Sequence, residues 1–228
     1  MMKVLAVIPA YNEEECLEDT LAKLTSACPD IDYVVVNDGS KDSTGTIVAG
    51  LGTSGINLAI NTGLASAFRT GMKYAYRHGY DAVVQFDADG QHLPEYIPVM
   101  AQALEREDAD IVIASRYLDG TRSPEGPRGV GSRLISSLIA VTTKTHITDP
   151  TSGMRMYNRS MIEQFAKRFD FAPEPDTVAL VLRRGGKVVE IPAEMQDRQG
   201  GESYLNITSI ITYMSRTCLS ILLFQWFR

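Results

Sequence analysis

Val4-Leu5-Ala6-Val7-Ile8-Pro9-Ala10-Tyr11-Asn12-Glu13-Glu14-Glu15 passes from an unbroken apolar run, through a proline, into three consecutive acids. A short run that is apolar at every position suits a strand buried on both faces of a parallel sheet. The acids behind it suit a helix start, where free N–H groups carry partial positive charge. Leu17, Leu21 and Leu24 then share one helical face. The alternation recurs along the first half of the chain, with further runs at Tyr33-Val34-Val35-Val36, Asn57-Leu58-Ala59-Ile60, Ala82-Val83-Val84-Gln85-Phe86 and Ile111-Val112-Ile113-Ala114. Strands separated by helical segments predict an α/β fold with a mostly parallel central sheet flanked by helices. Helix starts fall at Asp42-Ser43-Thr44, Thr62-Gly63 and Pro94-Glu95.

Beyond Ala114 the pattern changes. Residues 119–131 are rich in Gly and Pro without periodicity and predict a mobile loop. Leu134, Leu138 and Val141 mark a following helix, 153–157 a strand, 160–168 and 177–184 two helices, and 187–191 a last strand ended by Pro192. No linker separates two halves. Of 228 residues, 44% are hydrophobic and 22% charged, as in a globular protein, and the formal net charge of −6 gives no global positive field for a nucleic-acid backbone. Three cysteines, Cys16, Cys28 and Cys218, form no CxxC pair, which argues against a disulfide framework or zinc site and for a reducing cytosol. The apolar start reads as a strand rather than a signal peptide. The apolar stretch 219–227 is shorter than the roughly 20 residues a bilayer-spanning helix needs.

Three segments carry chemistry. Gln85-Phe86-Asp87-Ala88-Asp89-Gly90-Gln91-His92 places two carboxylates just past a buried strand, at the edge where α/β sheets bind ligands. Such oxygens, with Gln91 or His92 beside them, suit a hard divalent cation that completes its octahedron with water and substrate phosphates. By itself the pair also reads as an acidic strand-end turn. In Val36-Asn37-Asp38-Gly39-Ser40-Lys41-Asp42-Ser43-Thr44, Asp38 can accept N–H bonds from a nucleobase, or simply form an Asx turn. At the first strand's end, Tyr11 can stack on a base and Glu13 can accept from base or ribose, or the acids merely start a helix. All three segments fall at strand ends.

In this order, Ile8-Pro9-Ala10-Tyr11-Asn12-Glu13-Glu14, Val35-Val36-Asn37-Asp38-Gly39-Ser40 and Phe86-Asp87-Ala88-Asp89-Gly90-Gln91-His92 resemble the family 2 glycosyltransferases, specifically the dolichyl-phosphate-mannose-synthase-like branch. Ala114-Ser115-Arg116-Tyr117, Arg128 with Ser132-Arg133, Thr148-Asp149-Pro150-Thr151-Ser152-Gly153-Met154-Arg155-Met156-Tyr157, and Arg198 with Gly201-Glu202-Ser203 look like its later motifs, so the likeness covers nearly the whole chain. It implies a GT-A fold over 1–205, with a Rossmann-like nucleotide-binding half and an acceptor half. The implied reaction is metal-dependent, inverting transfer from a UDP- or GDP-linked sugar to a dolichyl or undecaprenyl phosphate. Carried over by position, Pro9, Tyr11, Glu13 and Asp38 would hold the nucleoside, and Asp87, Asp89 and Gln91 would surround Mg²⁺ or Mn²⁺ and the donor diphosphate. Arg116, Arg128, Ser132 and Arg198 would hold phosphates, with Asp87, Asp89, Arg116 and Arg198 closest to the chemistry. Arginine forks match phosphate oxygens and neutralise them locally on an acidic protein. Tyr204 stands where many relatives carry a lysine, removing one expected phosphate contact.

A phosphate acceptor is already ionised and needs only alignment. A sugar-hydroxyl acceptor, as in cell-surface polysaccharide synthesis, would need a base, for which Glu174 and Asp176 are the candidates. A sugar nucleotidyltransferase would instead put a Gly-rich basic loop after the first strand, and a non-catalytic nucleotide-binding module would bind without turnover. The tail 206–228 carries Ile207, Ile210, Ile211, Met214, Cys218, Ile221 and Leu222 at helical spacing, ending in Trp226-Phe227-Arg228. It reads as an interfacial helix at the inner face of the cell membrane, the alternative being a core or dimer helix. Relatives often continue into membrane helices, so a small membrane protein or a second copy of the chain is the expected companion.

Overall fold

A computed structural model describes residues 2–120, 126–196 and 207–223. In chain order the elements are β1 (Val4–Ala10), α1 (Leu17–Ala27), β2 (Asp32–Asn37), α2 (Thr44–Gly50), β3 (Gly55–Asn57), α3 (Leu64–Arg77), β4 (Ala82–Gln85), α4 (Tyr96–Arg106) and β5 (Ile111–Ser115). They continue with α5 (Gly126–Thr143), β6 (Arg155–Asn158), α6 (Arg159–Lys167), α7 (Pro175–Arg183), β7 (Val188–Pro192) and α8 (Ile207–Leu222). The seven strands form one sheet in the order β3-β2-β1-β4-β6-β5-β7. All pairs are parallel except those of β6, which runs antiparallel between β4 and β5 and pairs Met156 with both Val84 and Val112.

Alternate residues of each strand feed opposite cores. Val4, Ala6 and Ile8 face α1 and α4, packing with Leu17, Leu21, Ile97 and Met100. Leu5 and Val7 face the other side, where Phe68 and Met72 of α3, Ile135 of α5, Phe165 of α6 and Ile221 of α8 gather. Strand order runs outward in both directions from the β1–β4 pair, so the carboxyl ends of β1, β2 and β4 open onto one crevice, where such sheets bind ligands.

Two sequence expectations are corrected. The third strand is Gly55–Asn57 rather than 57–60: Leu58 N donates to Asn37 O at 2.9 Å, and the chain then crosses over Gly39, whose added Cβ would stand 2.5 Å from the Ile60 carbonyl carbon. Gly39 adopts φ +66°, a backbone region that side-chain-bearing residues disfavour. The segment expected as a loop over 119–131 is helical from Gly126 onward. Proline is tolerated in a first turn, and α5 docks so closely on α8 that a Cβ at Gly131 would stand 2.5 Å from Met214 Cε. Of the residues that marked helix α5, Leu138 packs half-buried against the core. The helix buries Ser132, Ile135, Ser136 and Ile139, and leaves Leu134 50% and Val141 80% exposed.

Candidate active site

The first two strand-end loops are stitched to each other. Asn12, at φ +55°, donates its N–H to Ser40 Oγ and accepts from Lys41 N, each at 2.9 Å. Glu13 N donates to Thr44 Oγ1 at 2.9 Å, and Ser43 N donates to Glu14 Oε2 at 2.8 Å. The acids that promised only a helix start therefore fasten β1 to the start of α2. Pro9 lies buried within β1 opposite Val36, Glu13 is buried, and Tyr11 is half-buried at the loop's turn.

Asp38 has a partner the sequence did not suggest. Its Oδ1 accepts from Thr62 N and Thr62 Oγ1 at 2.8 and 2.9 Å, and its Oδ2 accepts from Gly63 N at 2.7 Å. The carboxylate thus pins the entry of α3 to the end of β2, and base recognition by Asp38 would use its remaining lone pairs.

The diacid loop follows β4. Asp89 is buried and its Oδ1 accepts the Gln91 N–H at 3.1 Å, while Asp87 keeps 31% of its side chain exposed. Gln85 Nε2 donates to Asp87 Oδ1 at 3.3 Å, and Thr20 Oγ1 of α1 donates to Ala88 O at 3.1 Å. Gln91 turns its amide nitrogen to Gln196 O at 3.4 Å. Among the described residues no three His, Cys, Asp or Glu side chains close on one point as a complete metal cage.

Beyond β5 lies a knot of ionic and hydroxyl groups. Asp149, fully buried, takes the Arg116 fork with Nε at 2.7 Å and Nη2 at 2.8 Å, and also the Arg116 backbone N–H at 3.1 Å. Burial alone would lower the Arg116 pKa, but the Asp149 hydrogen bonds and charge outweigh it and hold the guanidinium above its ordinary value. Thr151 Oγ1 accepts from Arg116 Nη2 and donates onward to Ser132 Oγ, both at 3.1 Å, joining two expected phosphate residues. Glu190 of β7 fixes the turn, accepting from Thr148 N at 2.7 Å and from Thr148 Oγ1 and Asp149 N at 2.8 Å. Gly153 closes that turn against the diacid loop: an added Cβ would stand 2.8 Å from Asp87 Oδ2. Missing side-chain volume therefore makes the acidic and basic halves contiguous.

Sequence reasoning assigned no role to Glu190 and none beyond the motif to Asp149 and Thr151. A single strand glutamate carries no signal, and pairing across 33 residues is invisible in one chain. Arg198 and the 201–204 segment lie outside the described residues, as does the side chain of Arg128, whose backbone lies in α5. Glu174 and Asp176 are engaged by α8: Tyr213 Oη donates to Glu174 Oε2 and Ser220 Oγ to Asp176 Oδ2, each at 2.6 Å. Burial raises the Glu174 pKa despite the opposing Tyr213 hydrogen bond and Arg155 charge.

The glycosyl transferase family 2 pattern matches residues 5–165. Undecaprenyl-phosphate mannosyltransferase of Micrococcus luteus is 32% identical over 218 residues, covering 90% of this chain and 88% of that protein. Polyprenol monophosphomannose synthase of Mycolicibacterium smegmatis is 30% identical over 222 residues, covering 91% and 83%. Among solved structures, glucosyl-3-phosphoglycerate synthase from Mycobacterium tuberculosis, crystallised with Mn²⁺, UDP-glucose and phosphoglyceric acid, superposes with a TM-score of 0.72 at 16% identity over 97% of this chain and 79% of that one. The sheet order and this likeness make the fold GT-A. With its strand-end loops, diacid and arginine-bearing turn, the chain belongs to glycosyl transferase family 2, in the dolichyl-phosphate-mannose-synthase-like branch.

Proposed function

We propose that this glycosyltransferase moves a sugar, with inversion, from a nucleoside diphosphate to a polyprenyl phosphate at the inner face of the cell membrane. One observation carries the reading: the turn that bears the Arg116–Asp149–Thr151–Ser132 knot closes through Gly153 against Asp87 of the diacid loop, which sets carboxylates beside an arginine-bearing turn. The names of the two bacterial relatives support the same acceptor class.

Asp87, Asp89 and the Gln91 amide offer the hard oxygens that Mg²⁺ or Mn²⁺ prefers, with water and phosphate completing the shell. Such a cation, when bound, neutralises the negative charge that develops on a departing diphosphate. The chain's own residues do the rest. The β1 and β2 loops, with Tyr11, Glu13 and Asp38, hold the nucleoside, and Asp89 and Asp87 would hold the cation at the diphosphate end. Arg116, kept cationic and fixed by Asp149, aligns a phosphate oxygen with the anomeric carbon, assisted by Ser132, Arg128 and Arg198. Opposite-face attack by that oxygen displaces the nucleoside diphosphate and inverts the centre. An ionised phosphate delivers its own lone pair, so no proton has to be removed. The hydroxyl-acceptor reading would need Glu174 or Asp176 as base, and both are held by hydroxyls of α8.

The tail and α5 bear on how a lipid acceptor is reached. Val130, Leu134 and Val141 of α5 and Leu219, Leu222 and Leu223 at the end of α8 are exposed, with Arg133, Lys144 and Arg216 exposed beside them. An apolar face edged by cations suits an anionic bilayer surface. No helix among the described residues is long and apolar enough to cross a membrane.

Incubation with a panel of UDP- and GDP-sugars and undecaprenyl phosphate, with and without Mn²⁺, tests the proposal. Metal-dependent glycolipid formation is expected, falling by at least about a hundredfold in Asp89→Ala. Transfer to sugar hydroxyls with the lipid phosphate inert, or full activity in Asp89→Ala, would overturn it.

A further inference from the structure

His92 closes the diacid loop on itself. Its Nδ1 accepts the Asp87 backbone N–H at 2.9 Å, and its Nε2 stands 3.5 Å from Asp87 Oδ2. A ring nitrogen that accepts an N–H carries no proton, so in the neutral ring the proton sits on Nε2, on the carboxylate side. At 3.5 Å this is a close steric and dipolar contact rather than a hydrogen bond, and it leaves the Oδ2 lone pairs open to a cation. The ring cannot wander: 3% of its side chain is exposed, and it meets Phe86 edge-on with centroids 5.6 Å apart. Gly153 bounds the same space, since an added Cβ there would stand 2.8 Å from Asp87 Oδ2 and 3.3 Å from His92 Nε2. Backbone and carboxylate of one aspartate are thus both referred to one buried imidazole.

We propose that His92 is the positioning residue of the diacid loop, presetting the Asp87 carboxylate for a divalent cation that arrives with a nucleoside diphosphate. The inference rests on the donor-site reading above, and goes beyond it by naming what holds the site in shape. Groups that orient a ligating side chain typically matter about ten- to a hundredfold in metal affinity. Asp87 is half-buried and Gln85 Nε2 reaches its Oδ1 at 3.3 Å, so the placement of Oδ2 depends on the ring behind it.

The test compares Mn²⁺ binding by the full chain, in the presence of UDP and separately of GDP, read by electron paramagnetic resonance without any turnover. His92→Phe keeps a ring against Phe86 but offers no acceptor to Asp87 N, and His92→Asn keeps an acceptor near the Nδ1 position but cannot reach Oδ2. Circular dichroism melts establish folding. His92→Phe is expected to bind Mn²⁺ about ten- to a hundredfold more weakly, with His92→Asn between it and the parent. In turnover, the half-saturating Mn²⁺ concentration should rise more than kcat at saturating Mn²⁺ falls. Folded variants that bind Mn²⁺ within about twofold of the parent, while Asp89→Ala does not bind it, would overturn the inference and leave the donor site standing. Parent-like binding by Asp89→Ala would instead overturn the donor site. If His92→Phe does not fold, His92→Asn alone decides, and parity with the parent counts against the role.

Discussion

Asp149 shows how one buried carboxylate can govern the orientation of a cation, here the Arg116 assigned to phosphate binding in the proposed reaction. Fully inaccessible, it holds three N–H donors of Arg116 and gives the guanidinium one orientation. Removing one partner of a buried pair costs about 3–5 kcal/mol when the other is left without compensation. Arg116 retains 29% of its side chain in solvent, so the lower end applies, and Asp149→Asn should lose about 3 kcal/mol in urea unfolding. The same variant should raise the half-saturating acceptor concentration, since a freed arginine fork no longer aims at one phosphate position. A stable Asp149→Asn enzyme with parental acceptor kinetics would remove the pair from the site. The sequence displayed both residues inside recognisable motifs, but pairing is a property of the folded turn. Asp38 teaches the same lesson in reverse, for an acid at a strand end looks free to meet a base until Thr62 and Gly63 arrive from the next helix.

At the scale of elements, α7 and α8 are fastened by polar groups. Tyr213 donates to Glu174, Ser220 to Asp176, and Arg183 Nη2 to the Ile221 carbonyl at 3.2 Å. Burial pushes Glu174 above its ordinary value of 4.5, with Tyr213 and Arg155 opposing and Asp176 adding to the shift. A carboxyl whose pKa is raised by folding binds its proton more tightly in the native chain. Its contribution to stability is therefore largest below the ordinary value and declines as pH rises towards the folded one. Glu174→Gln should flatten that decline, measured as urea midpoints from pH 4 upward, and Tyr213→Phe should cost about 1–2 kcal/mol through loss of the hydrogen bond. An unchanged pH profile in Glu174→Gln would mean that Glu174 titrates as an exposed acid. Elements were legible wherever burial was two-sided: β1, β2, β4 and β5 announce themselves by continuous apolar runs. The reversed direction of β6 was not legible, because a four-residue strand looks alike from either end. Nor was the face of α5, since Ser132 and Ser136 turn inward to bond Thr151 Oγ1 and Ile147 O while Leu134 and Val141 stay outside and only Leu138 of the three packs against the core.

For the whole molecule, the outward side chains of α5 become an argument about location. A net charge of −6 makes the chain as a whole unattractive to an anionic surface, so the proposed membrane attachment would have to come from a local patch. Helices α5 and α8 pack together, and on or just past them Leu134, Val141, Leu219 and Leu222 and the cationic Arg133, Lys144 and Arg216 are exposed. Truncating α8 would not isolate this property, because its Ile221 is fully buried in the core and its Ser220 binds Asp176. Charges placed on the outward positions avoid that confusion. Each leucine or valine buried in lipid contributes about 1.5–3 kcal/mol, so Val141→Glu with Leu219→Glu should weaken sedimentation with phosphatidylglycerol vesicles by well over about tenfold. Melting temperature should hardly move, since both side chains are at least 49% exposed. Transfer to a short-chain, water-soluble prenyl phosphate should persist, while transfer to vesicle-borne undecaprenyl phosphate falls. If vesicle binding is unchanged and light scattering instead shows a dimer breaking into monomers, the face belongs to a second copy of the chain. Retained binding to vesicles by a stable monomeric variant would place the lipid contact elsewhere on the surface.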